Sequence, residues 1–255
     1  MGERERYDPG TFSWAELSTS DVESAKGFYT GLFGWETEDQ PLPDGGAYTI
    51  ARVGGRDVAG LTPAQPGQPP AWNSYVTVED AGAAASKAAE FGGNIVVEPF
   101  DVMEEGRMAV IQDPTGAFFC VWQPRNTIGA GLVNGHGLLS LNQLNTNDPE
   151  RAIEFYSALF GWSFDAVPDS EIPYWGVRVG GRLGAGMMLL PADAPAPPHW
   201  LVYFGIDDID PAVGKIGESG GALLVPKTAV PGGEIVVAQD PQGAVFAFFA
   251  GRFDD

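Results

Sequence analysis

The spacing of apolar and polar positions predicts strands that alternate with short helices along the chain. Residues 11–19 alternate between the two classes, as a half-buried strand does. After Asp21, apolar residues return every three or four positions up to Phe33, which predicts an amphipathic helix that Asp21 caps and Gly34 ends. Residues 35–61 then predict a short strand and a hairpin, so the first module has the order βαβββ.

The same order of elements begins again after a Pro-rich segment at residues 63–70. A turn with the sequence Asp-Pro-Thr-Gly, residues 113–116, precedes the last strand and has proline at its second position, as type I turns favour. The elements predicted for this second module are a helix at 80–91 and strands at 72–79, 94–97, 107–112 and 117–123.

The second half of the chain duplicates the first. The sequence FYTGLFGW at residues 28–35 returns as FYSALFGW at residues 155–162. At the same offset, the Asp-Pro-x-Gly turn returns at residues 240–243. The strands predicted there are 137–146, 174–179, 183–190, 200–206, 234–239 and 244–250, with helices at 148–160 and from Asp210.

This repetition predicts two domains, each built from two βαβββ modules. The first spans residues 1–123 and the second residues 137–255, and a Gly- and Asn-rich segment at 124–136 links them. Both fit the usual size of a domain.

Composition and charge narrow the function classes. A formal net charge of −20 on 255 residues argues against binding to nucleic acid or to an anionic membrane, since both need basic patches. No apolar run approaches the roughly 20 residues of a membrane span, and the N-terminal residues lack the apolar core of a signal peptide. Cys120 is the only cysteine, which excludes an internal disulfide. We therefore expect a cytoplasmic protein, either a monomer or a homodimer, whose partner is a small molecule.

The duplicated motifs resemble those of the vicinal-oxygen-chelate superfamily, which includes glyoxalase I, bleomycin-resistance proteins and extradiol dioxygenases. The likeness rests on the strand and FYxxLFGW helix of each half and on the Asp-Pro-x-Gly turn before each last strand, and it covers nearly the whole chain. It is greatest to the two-domain actinobacterial group labelled "hydroxylase" or 27 kDa antigen. The resemblance implies an α+β fold in which four βαβββ modules form two curled mixed-sheet cups. The helices would cover the convex side, and the concave side would hold the site.

The positions at which metal-binding members of that superfamily carry their ligands hold unsuitable residues in this sequence. By the resemblance these positions are Trp14, Asn73 and Cys120 in the first half and Leu141, Leu201 and Ala247 in the second. Divalent ions bind imidazole, carboxylate or thiolate donors, so we expect neither a metal nor a cofactor. Glu16, on the same strand face as Trp14, leaves open an atypical site with Cys120 and Asn73. His136 and His199 match no ligand position and are interpreted as polar residues of a loop and a strand end.

Strand alternation predicts which residues line the two cups. The residues expected to face the first cup are Trp14, Glu16, Ser18, Asn73, Tyr75, Thr77, Phe118, Cys120 and Trp122. Those expected to face the second cup are Leu141, Gln143, Asn145, Leu201, Tyr203, Gly205, Val245, Ala247 and Phe249. Both linings are mainly apolar with a few polar groups, as in small-molecule pockets. The alternative is that the same aromatic residues fill the cups as core.

Four functions are compatible with these linings. The first is metal-independent binding of a small aromatic or amphipathic molecule through Trp14, Asn73, Phe118, Cys120, Trp122, Leu141, Gln143, Asn145 and Tyr203. The second is an isomerase or lyase in which Glu16 and Tyr75 transfer protons, because a carboxyl among aromatic rings has a raised pKa. The third is a metal-dependent glyoxalase or dioxygenase with atypical ligands, and the fourth is a structural protein with filled cups. The G-x-S-x-G spacing at 217–221 indicates a helix end, because a nucleophile elbow needs a strand-to-helix turn.

Overall fold

The computed structural model describes residues 2–42, 45–194 and 196–252. The elements of the first half are β1 (Gly2–Glu3), β2 (Phe12–Thr19), α1 (Val22–Phe33), β3 (Glu36–Pro41), β4 (Ala47–Val53), β5 (Arg56–Pro63), β6 (Ala71–Thr77), α2 (Ala81–Glu90), β7 (Asn94–Val102), β8 (Gly106–Gln112) and β9 (Phe118–Pro124). They are followed by β10 (Leu132–Val133), β11 (Leu139–Thr146), α3 (Pro149–Phe160), β12 (Ser163–Ala166), β13 (Tyr174–Val179), β14 (Arg182–Leu189), β15 (His199–Gly205), α4 (Ile209–Glu218), β16 (Ala222–Val230), β17 (Gly233–Gln239) and β18 (Val245–Gly251).

Each half forms one curled, open sheet of eight strands. The strand order is β3-β4-β5-β2-β6-β9-β8-β7 in the first sheet and β12-β13-β14-β11-β15-β18-β17-β16 in the second. In both sheets the two central strands pair antiparallel, and each of them pairs in parallel with its outer neighbour. The predicted α+β duplication of four βαβββ modules is confirmed, and each cup is the concave face of a sheet from one half.

Several features differ from the sequence prediction, and two strands of the second half, β12 and β16, were not predicted. The strand β7 continues to Val102, well past the predicted end at residue 97. Helix α4 begins at Ile209, one residue before the predicted start, because the side chain of Asp208 accepts a hydrogen bond from the Asp210 amide and caps the helix. Within the predicted linker, β10 pairs with β1 at the N-terminus. Such pairings join distant parts of the chain, so a local pattern does not reveal them.

The capping residues of the two motif helices act as predicted. Asp21 accepts a hydrogen bond from an amide of the first turn of α1, and Gly34 ends the helix with a left-handed φ of 72°. Asp148 and Gly161, with a φ of 74°, repeat this arrangement in α3. In the described part of the chain, no helix has the length and apolar character needed to cross a membrane.

The motif helices join the two halves, because each packs against the sheet of the other half. In α1, Phe28 meets Phe246 of β18 edge-on, with ring centroids 6.2 Å apart. In α3, Phe155 meets Phe119 of β9 in the same way, also at 6.2 Å. The apolar stripe of each motif helix therefore belongs to a core that both halves build.

The tyrosine of the first motif adds a buried polar connection between the halves. The Tyr29 hydroxyl accepts a hydrogen bond from Trp72 Nε1 at 2.9 Å and donates one to Asp240 Oδ2 at 3.0 Å. Asp240 opens the second Asp-Pro-x-Gly turn, where its other oxygen accepts from the amides of Gln242, Gly243 and Ala244. One carboxylate thus orders its own turn and holds a helix of the other half.

The second motif makes the reciprocal connection. The Tyr156 hydroxyl accepts from Trp200 Nε1 at 2.8 Å and donates to Asp113 Oδ2 at 2.8 Å. Burial, followed by the adjacent carboxylate, raises the pKa of both motif tyrosines well above the usual range, so each hydroxyl keeps its proton.

We expect Tyr29→Phe and Tyr156→Phe each to lower the free energy of unfolding by about 1–3 kcal/mol. Either change leaves a buried indole N–H and a buried carboxylate oxygen without a partner. Urea denaturation followed by tryptophan fluorescence measures the loss. Tyr174→Phe is the matched control, since the Tyr174 hydroxyl has no hydrogen-bond partner among the described residues, and we expect a change within about 0.5 kcal/mol. A loss no larger than that of the control would contradict the role of the motif tyrosines.

Candidate functional site

The concave face of the first sheet carries rows of side chains that lie side by side across its central strands. Trp14 of β2 pairs with Tyr75 of β6, and Tyr75 pairs with Cys120 of β9. Glu16, two residues further along β2, pairs with Gly60 of β5. Because directly paired residues project to the same face of a sheet, these side chains share one concave surface.

Two tyrosine hydroxyls hold the carboxylate of Glu16. Tyr75 donates to Oε1 at 2.9 Å, and Tyr48 of β4 forms a second hydrogen bond to the carboxylate. The Tyr48 hydroxyl also accepts from Trp14 Nε1 at 3.0 Å. Within the described ranges Glu16 has no ion-pair partner, and Arg52 of β4 pairs instead with Asp57 at 2.6 Å. The first cup therefore contains a carboxylate with hydrogen-bond donors but no balancing cation.

The sequence analysis missed Tyr48, which reaches Glu16 because Gly60 has no side chain. A Cβ atom at Gly60 would lie 2.0 Å from the Tyr48 hydroxyl oxygen. The second half has the same arrangement, where a Cβ atom at Gly186 would lie 1.9 Å from the hydroxyl oxygen of Tyr174. The signal that could have found both tyrosines is a repeated pattern, Tyr-x3-Arg-Val-Gly-Gly-Arg-x2-Ala-Gly, at residues 48–60 and 174–186.

Burial in the first cup favours the neutral forms of its ionisable groups. Desolvation raises the pKa of Glu16, and the hydrogen bonds from Tyr48 and Tyr75 offset only part of this rise. Burial, and then the Glu16 carboxylate, raise the pKa of the Cys120 thiol. A nucleophilic cysteine needs a depressed pKa, so the setting of Cys120 does not suit that role.

Three other residues predicted to line the first cup have different surroundings. The amide of Asn73 donates to Ser18 Oγ at 3.0 Å. Trp122 is buried, and its indole N–H donates to the backbone oxygen of Thr127 at 2.9 Å. Phe118 is 50% exposed and lies at the rim, outside the buried cluster around Trp14.

An apolar surface continues from the floor of the first cup to the edge of its sheet. Trp122 of β9 pairs with Met108 of β8, and Met108 pairs with Phe100 of β7. Phe100 and its neighbour Val97 are 42% and 40% exposed. Phe118 of β9 is also exposed, at 50%.

The second cup repeats the arrangement of the first, but it has an amide where the first cup has a carboxylate. Gln143 takes the place of Glu16, beside Gly186, and its Oε1 accepts from the Tyr203 hydroxyl at 3.2 Å. The Gln143 amide nitrogen donates to Asn145 Oδ1 at 2.7 Å. The remaining wall is apolar and includes Leu141, Leu201, Val245, Ala247 and Phe249.

The residues at the expected ligand positions do not fit a divalent metal ion. Trp14 offers only an N–H that is bonded to Tyr48, Cys120 is a thiol with a raised pKa, and Asn73 is a neutral amide. Their counterparts in the second half, Leu141, Leu201 and Ala247, have no donor atom. Among the residues that the structure describes, no three or more His, Cys, Asp or Glu side chains are grouped so as to hold a metal ion.

Two open clefts lie outside the cups, where helices of the two halves meet. The cleft between α2 and α3 has a volume of about 270 Å³ and contains Lys87, whose ammonium donates to the backbone oxygen of Leu159 at 3.2 Å. The cleft between α1 and α4 has a volume of about 180 Å³ and contains His136, with Nδ1 3.5 Å from Asp207 Oδ2. His136 therefore lies in the cleft between α1 and α4.

We expect Gly60→Ala to lower the free energy of unfolding by about 1–3 kcal/mol, because the new methyl group would displace Tyr48 from Trp14 and Glu16. Urea denaturation measures the loss. The control is Gly27→Ala in α1, where a Cβ atom would meet nothing within 4 Å, and we expect a gain of roughly 0.5–1 kcal/mol. If Gly60→Ala is as stable as the wild type, the close approach of Tyr48 to the sheet is wrong.

Known proteins that are similar to this chain match it over both duplicated halves. Residues 11–121 and 137–248 both match the family model described as Glyoxalase/Bleomycin resistance protein/Dioxygenase superfamily. A Mycobacterium tuberculosis protein named "Putative glyoxylase CFP32" is 38% identical over 253 residues, which cover 97% of each chain. The "Anthracycline biosynthesis protein DnrV" of Streptomyces peucetius is 32% identical over 262 residues, which cover 95% of this chain and 94% of the relative.

Solved structures with the same fold include a dioxygenase and a glyoxalase. The 2,3-dioxygenase LapB from Pseudomonas sp. KL28 has a TM-score of 0.66 at 13% identity, and the match covers 96% of this chain and 93% of that chain. The Mn(II)-bound glyoxalase from Novosphingobium aromaticivorans has a TM-score of 0.65 at 15% identity, covering 95% and 82%. At such low identity these likenesses establish the fold alone. The family match over both halves, together with the relative that is 38% identical over 97% of the chain, shows that this chain belongs to the glyoxalase/bleomycin resistance protein/dioxygenase superfamily.

Proposed function

We propose that the first cup binds a small aromatic or amphipathic molecule without a metal ion, and that a hydrogen-bond donor or cationic group of this molecule meets Glu16. The observation that carries the proposal is the carboxylate of Glu16, which two tyrosine hydroxyls hold and no cation neutralises. An ionised carboxylate in a desolvated site is stabilised by a ligand that brings the missing positive charge or donor.

The aromatic character of the cup supports a flat ligand. Trp14, Tyr75 and Trp122 belong to one buried cluster of the first cup, while Phe100 and Phe118 are 42% and 50% exposed. Aromatic rings offer large flat faces on which another ring can stack. One relative is named for the biosynthesis of anthracyclines, which contain flat aromatic rings, and a ligand of that kind agrees with this lining.

The donor set also supports binding without a metal. A divalent ion needs several carboxylate, imidazole or thiolate ligands, and the first cup offers one carboxylate that already accepts two hydrogen bonds. The atypical combination of Glu16, Cys120 and Asn73 has less support, because Cys120 is a buried thiol with a raised pKa and the Asn73 amide donates to Ser18.

We expect 1-naphthylmethylammonium to bind the wild-type protein at least about tenfold more tightly than 1-naphthoate, since a charge-assisted hydrogen bond contributes about 1.5–3 kcal/mol. Isothermal titration calorimetry with and without a chelator measures both affinities. Glu16→Gln should abolish the preference, whereas Glu104→Gln, which changes an exposed carboxylate, should preserve it. A preference that survives Glu16→Gln, or the absence of binding by either probe, contradicts the proposal. The second outcome would favour cups filled by their own side chains.

A second candidate function, proton transfer on a carbonyl compound, is favoured by one contact. Tyr75 donates to Glu16 Oε1 at 2.9 Å, and the pKa of this carboxyl is raised, as a general base near neutral pH requires. Exchange of the α-protons of dihydroxyacetone in D2O, followed by NMR, tests this function. We expect Glu16→Gln to slow the exchange by roughly 100-fold or more, and an unchanged rate rules out the role of Glu16 as base.

A further inference from the structure

Four polar side chains of the second cup form a continuous chain of hydrogen bonds. The Tyr203 hydroxyl donates to Gln143 Oε1 at 3.2 Å, and Gln143 Nε2 donates to Asn145 Oδ1 at 2.7 Å. Asn145 Nδ2 lies 3.0 Å from His199 Nε2, and His199 Nδ1 lies 2.8 Å from the backbone oxygen of Pro197. The chain runs from Tyr203, which is 2% exposed, to the half-buried start of β15.

The carbonyl group of Pro197 fixes the direction of every bond in this chain. A carbonyl oxygen can only accept, so Nδ1 of His199 carries the proton, and Nε2 of the neutral ring is an acceptor. Asn145 must then turn its NH2 group to the ring and its oxygen to Gln143. Gln143 must in turn direct its NH2 group to Asn145 and its oxygen to Tyr203.

Among the described residues, the first cup has no counterpart to the Asn145–His199 part of this hydrogen-bond chain. Ser18 and Ala71 occupy the paired positions that Asn145 and His199 hold in the second cup. When it is ionised, the carboxylate of Glu16 can only accept, so it sets the direction of its own hydrogen bonds. A side-chain amide can present either its oxygen or its NH2 group to a partner. The groups around it must therefore set its orientation.

We propose that His199 is the positioning residue that sets the hydrogen-bond polarity of the second cup, and that this cup takes an uncharged small molecule that donates a hydrogen bond to Tyr203. Tyr203 gives its only proton to Gln143, so it can meet a ligand only through its oxygen. The choice of ligand rests on the proposed function, which it extends to the second cup. The direction of the hydrogen bonds from Tyr203 to His199 does not depend on any ligand.

The tautomer of His199 tests the polarity directly. We expect long-range 1H–15N NMR spectra at about pH 8 to show a proton on Nδ1 and none on Nε2 of this ring. His136 is the only other histidine, so His136→Phe assigns the signals. A proton on Nε2 of His199 in the wild-type protein overturns the proposed direction.

The variant Gln143→Glu tests whether the side chains are coupled along the chain. The new carboxylate has no proton to give Asn145, so Asn145 must turn its NH2 group inward and its oxygen toward His199. We expect a proton on Nε2 of His199 in this variant and its loss when Asn145→Ala is added. If the proton persists in the double variant, it reflects direct attraction by the new charge, and coupling through Asn145 is wrong.

The ligand is tested with 1-naphthalenemethanol and its methyl ether, which lacks the donor. In a Glu16→Gln background we expect calorimetry to show about tenfold tighter binding of the alcohol, and His199→Phe to remove this difference. Equal binding of the two probes, or no binding, overturns the choice of ligand for the second cup. Binding of 1-naphthylmethylammonium to the first cup of the His199→Phe variant reports separately on the proposed function.

Discussion

The structure depends on a reciprocal exchange in which each half supplies a helix to the sheet of the other. The exchange is held by the polar connections Trp72–Tyr29–Asp240 and Trp200–Tyr156–Asp113, which are buried within aromatic clusters. Satisfied hydrogen bonds in such surroundings specify one arrangement, since an unpaired group there is costly. The same carboxylates order the turns before the last strands. Each motif therefore connects a helix of one half with the final hairpin of the other.

Because the convex faces and helices form this shared core, the concave faces are free to differ in chemistry. The two cups share one arrangement, in which a tyrosine on the first strand of a hairpin lies over a glycine on the second, antiparallel strand. Within that arrangement a single exchange, Glu16 for Gln143, changes an acidic site into a neutral one. In the first cup, desolvation raises the pKa of the Glu16 carboxyl. The second cup gains an amide whose orientation depends on neighbours up to His199.

Much of the fold was predictable because it is encoded in local patterns. Helix caps such as Asp21, the glycines of the tight turns and the duplicated motif predicted the modules, and strand alternation placed Glu16 and Tyr75 on one face. The docking of α1 on the other half was not predictable, since an apolar stripe shows that a face is buried but not what covers it. Tyr48 was missed, and the contact of His199 with Asn145 was not predicted, because both depend on partners on a neighbouring strand.

The central claim is that the first cup operates through Glu16 and its tyrosines and not through a bound metal ion. Calorimetric titration of the chelator-treated protein with Mn²⁺, Fe²⁺ and Zn²⁺ tests this most directly. The account predicts no stoichiometric binding in the micromolar range for any of the three ions. One tightly bound ion per chain that is lost on Glu16→Gln would contradict it and would place a metal among the aromatic residues of the first cup.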